Sequence, residues 1–263
     1  MLTKTSRDIL CSLSDVVEKL IIVIDECTTS YPDLSGLAKS VQAQVKTLSS
    51  IGDRIASQTE SDAILREDMP KACKMAADAA LLLQQSSEQM TRNNGSEKLK
   101  SDLMDSIRGL FSGTSAILDA FDSAEVRKIK AVAEKIQASL SVLLTHHIQT
   151  LTKDVFVSNV SSISQTIVSL VQLCQKRSIE LLKEELELEL KSKADTLSKL
   201  GTPFISVCKL FLVDGSSPAF YDMMTSITSQ MISICRRITE IVEMSPDEEF
   251  KLVLLGLLIL GYA

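Results

Sequence analysis

The sequence predicts an all-α protein of seven helices, and three features carry that reading. Hydrophobic residues make up 45% of the 263 residues but aromatics only 4%, with no Trp. A core of that composition is built from Leu, Ile, Val, Ala and Met. The 9 Gly and 5 Pro leave few chain breakers, and these preferences favour helix over sheet. Finally, apolar residues recur at spacings of three and four along most of the chain, the pattern that buries one helix face.

The first helix carries Ile9, Leu13, Val16, Val17, Leu20 and Ile24 and stops near Cys27. The turn Thr28-Thr29-Ser30-Tyr31-Pro32-Asp33 comes next, with Pro32 closing helical geometry. A second helix shows a clean seam of Leu34, Leu37, Val41, Val45, Leu48, Ile51 and Ile55, then a polar junction from Ser57 to Asp62. The third holds Ile64, Met69, Ala72, Cys73, Ala76, Ala80 and Leu83, with Pro70 early in it. Arg92-Asn93-Asn94-Gly95-Ser96 reads as a loop, with Ser96 as N-cap of the fourth helix.

From about Glu97 to about His146 the only interruptions are Gly109 and Gly113, whose small size permits close helix packing. A helix that long measures roughly 75 Å. No single bundle of this size accommodates it, so two bundles must share it. Three more helices lie beyond it, at about 150–180, 183–213 and 218–244. Gly201 and Pro203 predict a kink in the second of them, and Asp214-Gly215-Ser216-Ser217-Pro218 is a strong turn. The expected architecture is two antiparallel four-helix bundles sharing one long central helix. One domain covers about 1–250, with an N-terminal bundle at about 6–120, a C-terminal bundle at about 121–245 and the shared helix at about 97–146. An apolar tail occupies 251–263.

Several functional classes fall away. The net charge is -6, the pI is about 5.1, and no run of Lys or Arg exceeds two, so a nucleic-acid partner is not expected. The six cysteines Cys11, Cys27, Cys73, Cys174, Cys208 and Cys235 are scattered, none at CxxC spacing. They read as small hydrophobes in a reducing, cytoplasmic setting. The apolar run Leu20 to Ile24 is too short for a signal core. His146 and His147 lack a Glu three residues upstream and point about 100° apart on a helix, so no metal is expected. Neither a P-loop, a dinucleotide fingerprint nor a nucleophile elbow occurs, so neither an enzyme nor a cofactor is expected. Leu252 to Ala263 is almost wholly apolar but short of the roughly 20 residues that span a bilayer. A membrane-active protein using that run is the rival from another class.

Three stretches carry a family resemblance. The first runs from Arg108-Gly109-Leu110-Phe111-Ser112-Gly113 through Phe121-Asp122-Ser123-Ala124-Glu125-Val126-Arg127-Lys128-Ile129. The second is Pro32-Asp33-Leu34 with Val41-Gln42-Ala43, and the third is Asp68-Met69-Pro70. Together with Pro203, they resemble the first head domain of the vinculin family from about Ser6 to about Phe250. The α-catenin branch shares the fold but lacks the central run. The resemblance implies the two-bundle architecture and a role as a cytoskeletal adhesion adaptor. It further implies that the N-terminal bundle takes a talin-like amphipathic helix between its first two helices, becoming five-helical.

Carried onto this chain, the groove would be Leu13, Val16, Leu20, Val23 and Ile24 on the first helix. Val41, Val45, Leu48, Ile51 and Ile55 would face them from the second, and Leu110, Leu118 and Phe121 of the long helix would form the floor. An α-actinin-like or β-catenin-like helix is an alternative partner, and an α-catenin-like module that self-associates an alternative role. Direct actin binding is not expected of these residues, because the family places it in a further domain. Asp15 replaces a family proline, Glu18-Lys19 a glutamine pair, and Gln44 a small alanine. These departures bear on which partner helix fits.

Overall fold

A computed structural model describes residues 3–26, 34–92, 96–145, 152–213 and 217–244. Among these residues there are seven α-helices and no strand: α1 (Lys4–Glu26), α2 (Leu34–Gln58), α3 (Ala63–Arg92), α4 (Glu97–Thr145), α5 (Lys153–Glu180), α6 (Glu184–Val213) and α7 (Pro218–Glu243). Helix α4 is continuous and belongs to two compact units, which divide between Ala124 and Glu125. The first holds α1–α3 with the beginning of α4, the second the remainder of α4 with α5–α7. The all-α architecture of two helical bundles on one shared strut is the one the sequence predicts.

In the first unit, polar side chains satisfy free N–H groups at helix starts. Ser6 N–H donates to Thr3 Oγ1 at 3.0 Å, and Leu65 N–H to Asp62 Oδ1 at 3.0 Å. Leu99 N–H donates to Ser96 Oγ at 3.3 Å, the cap expected from the sequence. Helix α2 buries Leu34, Ala38, Val41, Val45, Ser49, Gly52 and Ala56. Ser49 and Gly52 show which neighbour that face meets. The Ser49 hydroxyl donates to Cys73 C=O at 3.4 Å, and a Cβ at Gly52 would stand 2.9 Å from both Cys73 Sγ and Met69 Sδ. The α3–α4 contact is closer still. A Cβ at Gly113 would stand 2.5 Å from the Ala76 Cα and N, and one at Gly109 would stand 3.2 Å from the Ala79 Cβ. Glycine on one helix against alanine on the other lets these two backbones nearly touch.

The second unit has a conventional large-residue core. Phe156 at the start of α5 meets Phe211 at the end of α6, with ring centroids 5.9 Å apart, so these helices run antiparallel. Gly201 and Pro203, where the sequence predicts a kink, lie inside the single helix α6. The Glu184–Lys191 run is helical, with Leu190 buried and Glu189 paired. Arg237 of α7 grips Glu189 with two bonds of 2.7 and 2.9 Å and also reaches Glu240 at 3.0 Å. Its guanidinium holds the Glu189 carboxyl below the usual range. Lys130–Glu243 and Lys176–Glu125 tie α4 to α7 and to α5.

Three buried thiols line that core, one each on α5, α6 and α7. Burial pushes Cys174, Cys208 and Cys235 from an ordinary 9.0 up to about 12. They stay protonated in the folded protein at pH values where an unfolded chain would ionise them. A raised folded value means full stability below about pH 9 and a decline as pH rises towards 12. The slope reaches about 1.4 kcal/mol per pH unit for each thiol. Urea unfolding of the second unit is expected to show this alkaline loss, with a shallower slope for Cys208→Ala.

Candidate partner-helix groove

The expected groove residues occupy two adjacent faces of α2. Val41 and Val45 are buried on the face that also carries Ser49 and Gly52, turned to α3. Leu48, Ile51 and Ile55 lie roughly a quarter-turn away. There Leu48 and Ile55 are half-buried and Ile51 is 38% exposed. Leu37, half-buried, and Gln44, exposed, extend the same stripe one residue in seven toward the helix start. Helix α2 therefore has one apolar face committed to α3 and a second that no described neighbour fully covers.

Helix α1, which packs against α2, shows the matching condition. Leu13 and Val16 are half-buried, as is Ile9 four residues before Leu13. Leu20, Val23 and Ile24 belong to α1, but their side chains lie outside the described residues. On α4, Leu110 and Leu118 are buried and Phe121 is half-buried. Leu37 and Ile9 adjoin the groove set expected from the sequence without belonging to it.

Among the described residues, no group of three His, Cys, Asp or Glu side chains is placed to hold a metal ion. Helix α6 is the one described helix long and apolar enough to cross a membrane, with mean hydropathy 1.3 over its best window. Leu190, Ala194, Leu197, Phe204, Val207, Cys208 and Phe211 are turned to the core, and 28% of that window is buried. His146, His147 and the run from Leu252 lie outside the described residues.

Among the described residues, the first unit is a helical bundle whose α2 carries an incompletely covered apolar stripe. Sequence comparison places it: the chain belongs to the vinculin family, whose profile matches residues 1–246. It is 29% identical to vinculin of Rattus norvegicus over 218 residues, covering 82% of this chain and 20% of the rat protein. Vinculin of Drosophila melanogaster is 34% identical over 142 residues, 53% of this chain and 15% of that protein. The chain thus spans about a fifth or less of these relatives.

Solved structures show the same fold. A vinculin homologue from a sponge superposes with a TM-score of 0.79 at 19% identity, over 95% of this chain and 31% of that one. A chain from the crystal structure of an HMP-1–HMP-2 complex superposes with a TM-score of 0.68 at 15% identity, covering 90% of this chain and 97% of that one. Vinculin family proteins are structural adaptors of cell adhesion rather than enzymes, and this chain carries their fold.

Proposed function

We propose that the first unit captures an amphipathic helix of talin type between α1 and α2, at cytoplasmic, cytoskeleton-linked adhesions. The observation that supports this reading is the second apolar face of α2. Leu48, Ile51 and Ile55 stand incompletely buried, and Leu13 and Val16 of α1 are in the same state. A folded bundle with no further occupant gains by burying such side chains. Here they remain for a helix offering apolar residues at i, i+4 and i+7. Each anchor so buried contributes about 1.5–3 kcal/mol, offset by separating α1 from α2 and by the cost of association. In this reading Leu13, Val16, Leu20, Val23 and Ile24 line one wall and Leu48, Ile51 and Ile55 the other. Leu110, Leu118 and Phe121 form the floor, and Val41 and Val45, turned to α3, hold the α2 wall in place. Residues about 6–120 are then the capture bundle and about 121–245 the second bundle of one domain.

A second reading, an α-catenin-like module, draws on the likeness to a chain from the HMP-1–HMP-2 complex over nearly its full length. Its partner would be a β-catenin-type helix in the same unit. Calorimetric titration of the chain with a talin-type and a β-catenin-type helix peptide separates the two. Tighter binding of the talin type supports the first reading. Preference for the other peptide moves the second ahead, and binding of neither by folded protein removes both.

A further inference from the structure

Among the described residues of the second unit, a cleft of about 440 Å³ opens between α6 and α7. It is lined by Lys193 of α6 and by Ser233, Ile234, Arg236, Arg237 and Glu240 of α7. Positions 233, 236, 237 and 240 are spaced by three and four, so those polar side chains share one helix face. A space of that size matches the range of small-molecule sites, and its charges decide what enters it.

Those charges are unevenly paired. Arg237 donates to both oxygens of Glu189 at 2.7 and 2.9 Å and to Glu240 at 3.0 Å. These bonds use three of its five N–H donors and leave two. One guanidinium thereby engages both carboxylates and is itself held in place by them. Lys193 stands one turn after Glu189 and helps to keep that carboxyl ionised, but Arg237 already holds both of its oxygens. The Lys193 ammonium and the Arg236 guanidinium have no hydrogen bond or ion pair among the described residues. Lys193 is half-buried, while Arg236 and Ser233 are exposed. The cleft therefore combines two uncommitted cations, a clamped guanidinium with two spare donors, and a hydroxyl.

That donor set selects an anion with several oxygens and more than one charge. A carboxylate brings one charge and two oxygens. A phosphate monoester brings about 1.5 to 2 negative charges and three acceptor oxygens, and a guanidinium pairs with two of those at once. The cleft exceeds what a phosphate group fills, and half-buried Ile234 offers an apolar wall to the remainder of the ester.

We infer that this cleft binds a phosphate monoester, with Arg236 and Lys193 on the phosphate and Ser233 and Arg237 as further donors. Glu240 is the one lining carboxylate and opposes the ligand, so the dissociation constant is expected on the order of 1 mM at low salt. The site belongs to the second unit and is independent of helix capture by the first.

Titration of the isotope-labelled whole chain with methyl phosphate, followed by amide chemical shifts, tests this. Saturable shifts are expected at Lys193, Ser233 and Arg236, with acetate binding at least tenfold more weakly. Arg236→Gln and Lys193→Gln are each expected to weaken binding at least fivefold, and Lys199→Gln, exposed elsewhere on α6, to leave it unchanged. Glu240→Gln removes the opposing charge while Glu189 still holds Arg237. It is expected to tighten binding at least threefold, a gain that no loss of fold produces. Phosphatidylcholine vesicles holding one-tenth phosphatidic acid, whose headgroup is a phosphate monoester, distinguish the source. Sedimentation with them that Arg236→Gln abolishes assigns the ligand to a membrane surface, and methyl phosphate binding without sedimentation assigns it to a free ester. The absence of saturable shifts with methyl phosphate overturns the inference. So does acetate binding as tightly, or an Arg236→Gln variant that binds like the parent.

Discussion

Replacing Gly113 by alanine is expected to lower the stability of the first unit by about 1–2 kcal/mol, although alanine is the better helix former. In an unhindered helix Gly→Ala gains up to about 1 kcal/mol. At Gly113 the new methyl would stand 2.5 Å from the Ala76 backbone and 2.9 Å from its side chain. Backbone cannot rotate aside as a side chain does, so α3 and α4 must separate along a seam that also holds Gly109 and Ala79. Overpacking of that kind costs about 1–3 kcal/mol and outweighs the propensity gain. Two companions calibrate the effect. Gly109→Ala meets only the Ala79 methyl at 3.2 Å and is expected to change stability less. Gly201→Ala meets nothing within 4 Å and is expected to stabilise. Urea unfolding followed by circular dichroism ranks the three, and a stabilised Gly113→Ala would mean that α3 and α4 do not approach this closely.

Ile51→Glu is expected to weaken capture of a partner helix at least 100-fold while leaving the free protein within about 1 kcal/mol of the parent. In the free state the side chain already reaches water, so a carboxylate there keeps its hydration. Between α2 and an incoming apolar helix the same carboxylate would be stripped of water with no cation to meet it, a cost of several kcal/mol. Val45→Glu, one and a half turns earlier on the buried face against α3, is expected to unfold the first unit instead. The pair thus separates a loss of binding from a loss of fold, read by calorimetry and thermal melting on the same preparations. Gln44→Leu acts in the opposite direction. It completes the apolar stripe between Leu37 and Leu48 and is expected to tighten binding by about 1–2 kcal/mol.

The elements and their order were legible in the sequence because periodicity at three and four reports which side of each helix is buried. The loop before Glu97 and the Ser96 cap were legible for a local reason: cap chemistry is written within four residues. The division of α2 into two apolar faces was not. Val41, Val45, Leu48, Ile51 and Ile55 all fit one seam of spacing three and four, and only the position of Cys73 and Met69 beneath Gly52 shows where one face ends. Gly109 and Gly113 announced a close approach, but their partner, Ala76 with Ala79, lies on another helix and no spacing names it. Pro203 lies inside α6, which continues past it with Phe204, Val207 and Phe211 buried just beyond.

Amide hydrogen exchange of the chain with and without a saturating talin-type helix peptide tests helix capture between α1 and α2 most directly. The account predicts that the peptide changes exchange in α1 and α2, on both walls of the groove, while α5, α6 and α7 keep their free-state rates. Protection confined to α5–α7, or bound peptide with α1 and α2 unchanged, would contradict it.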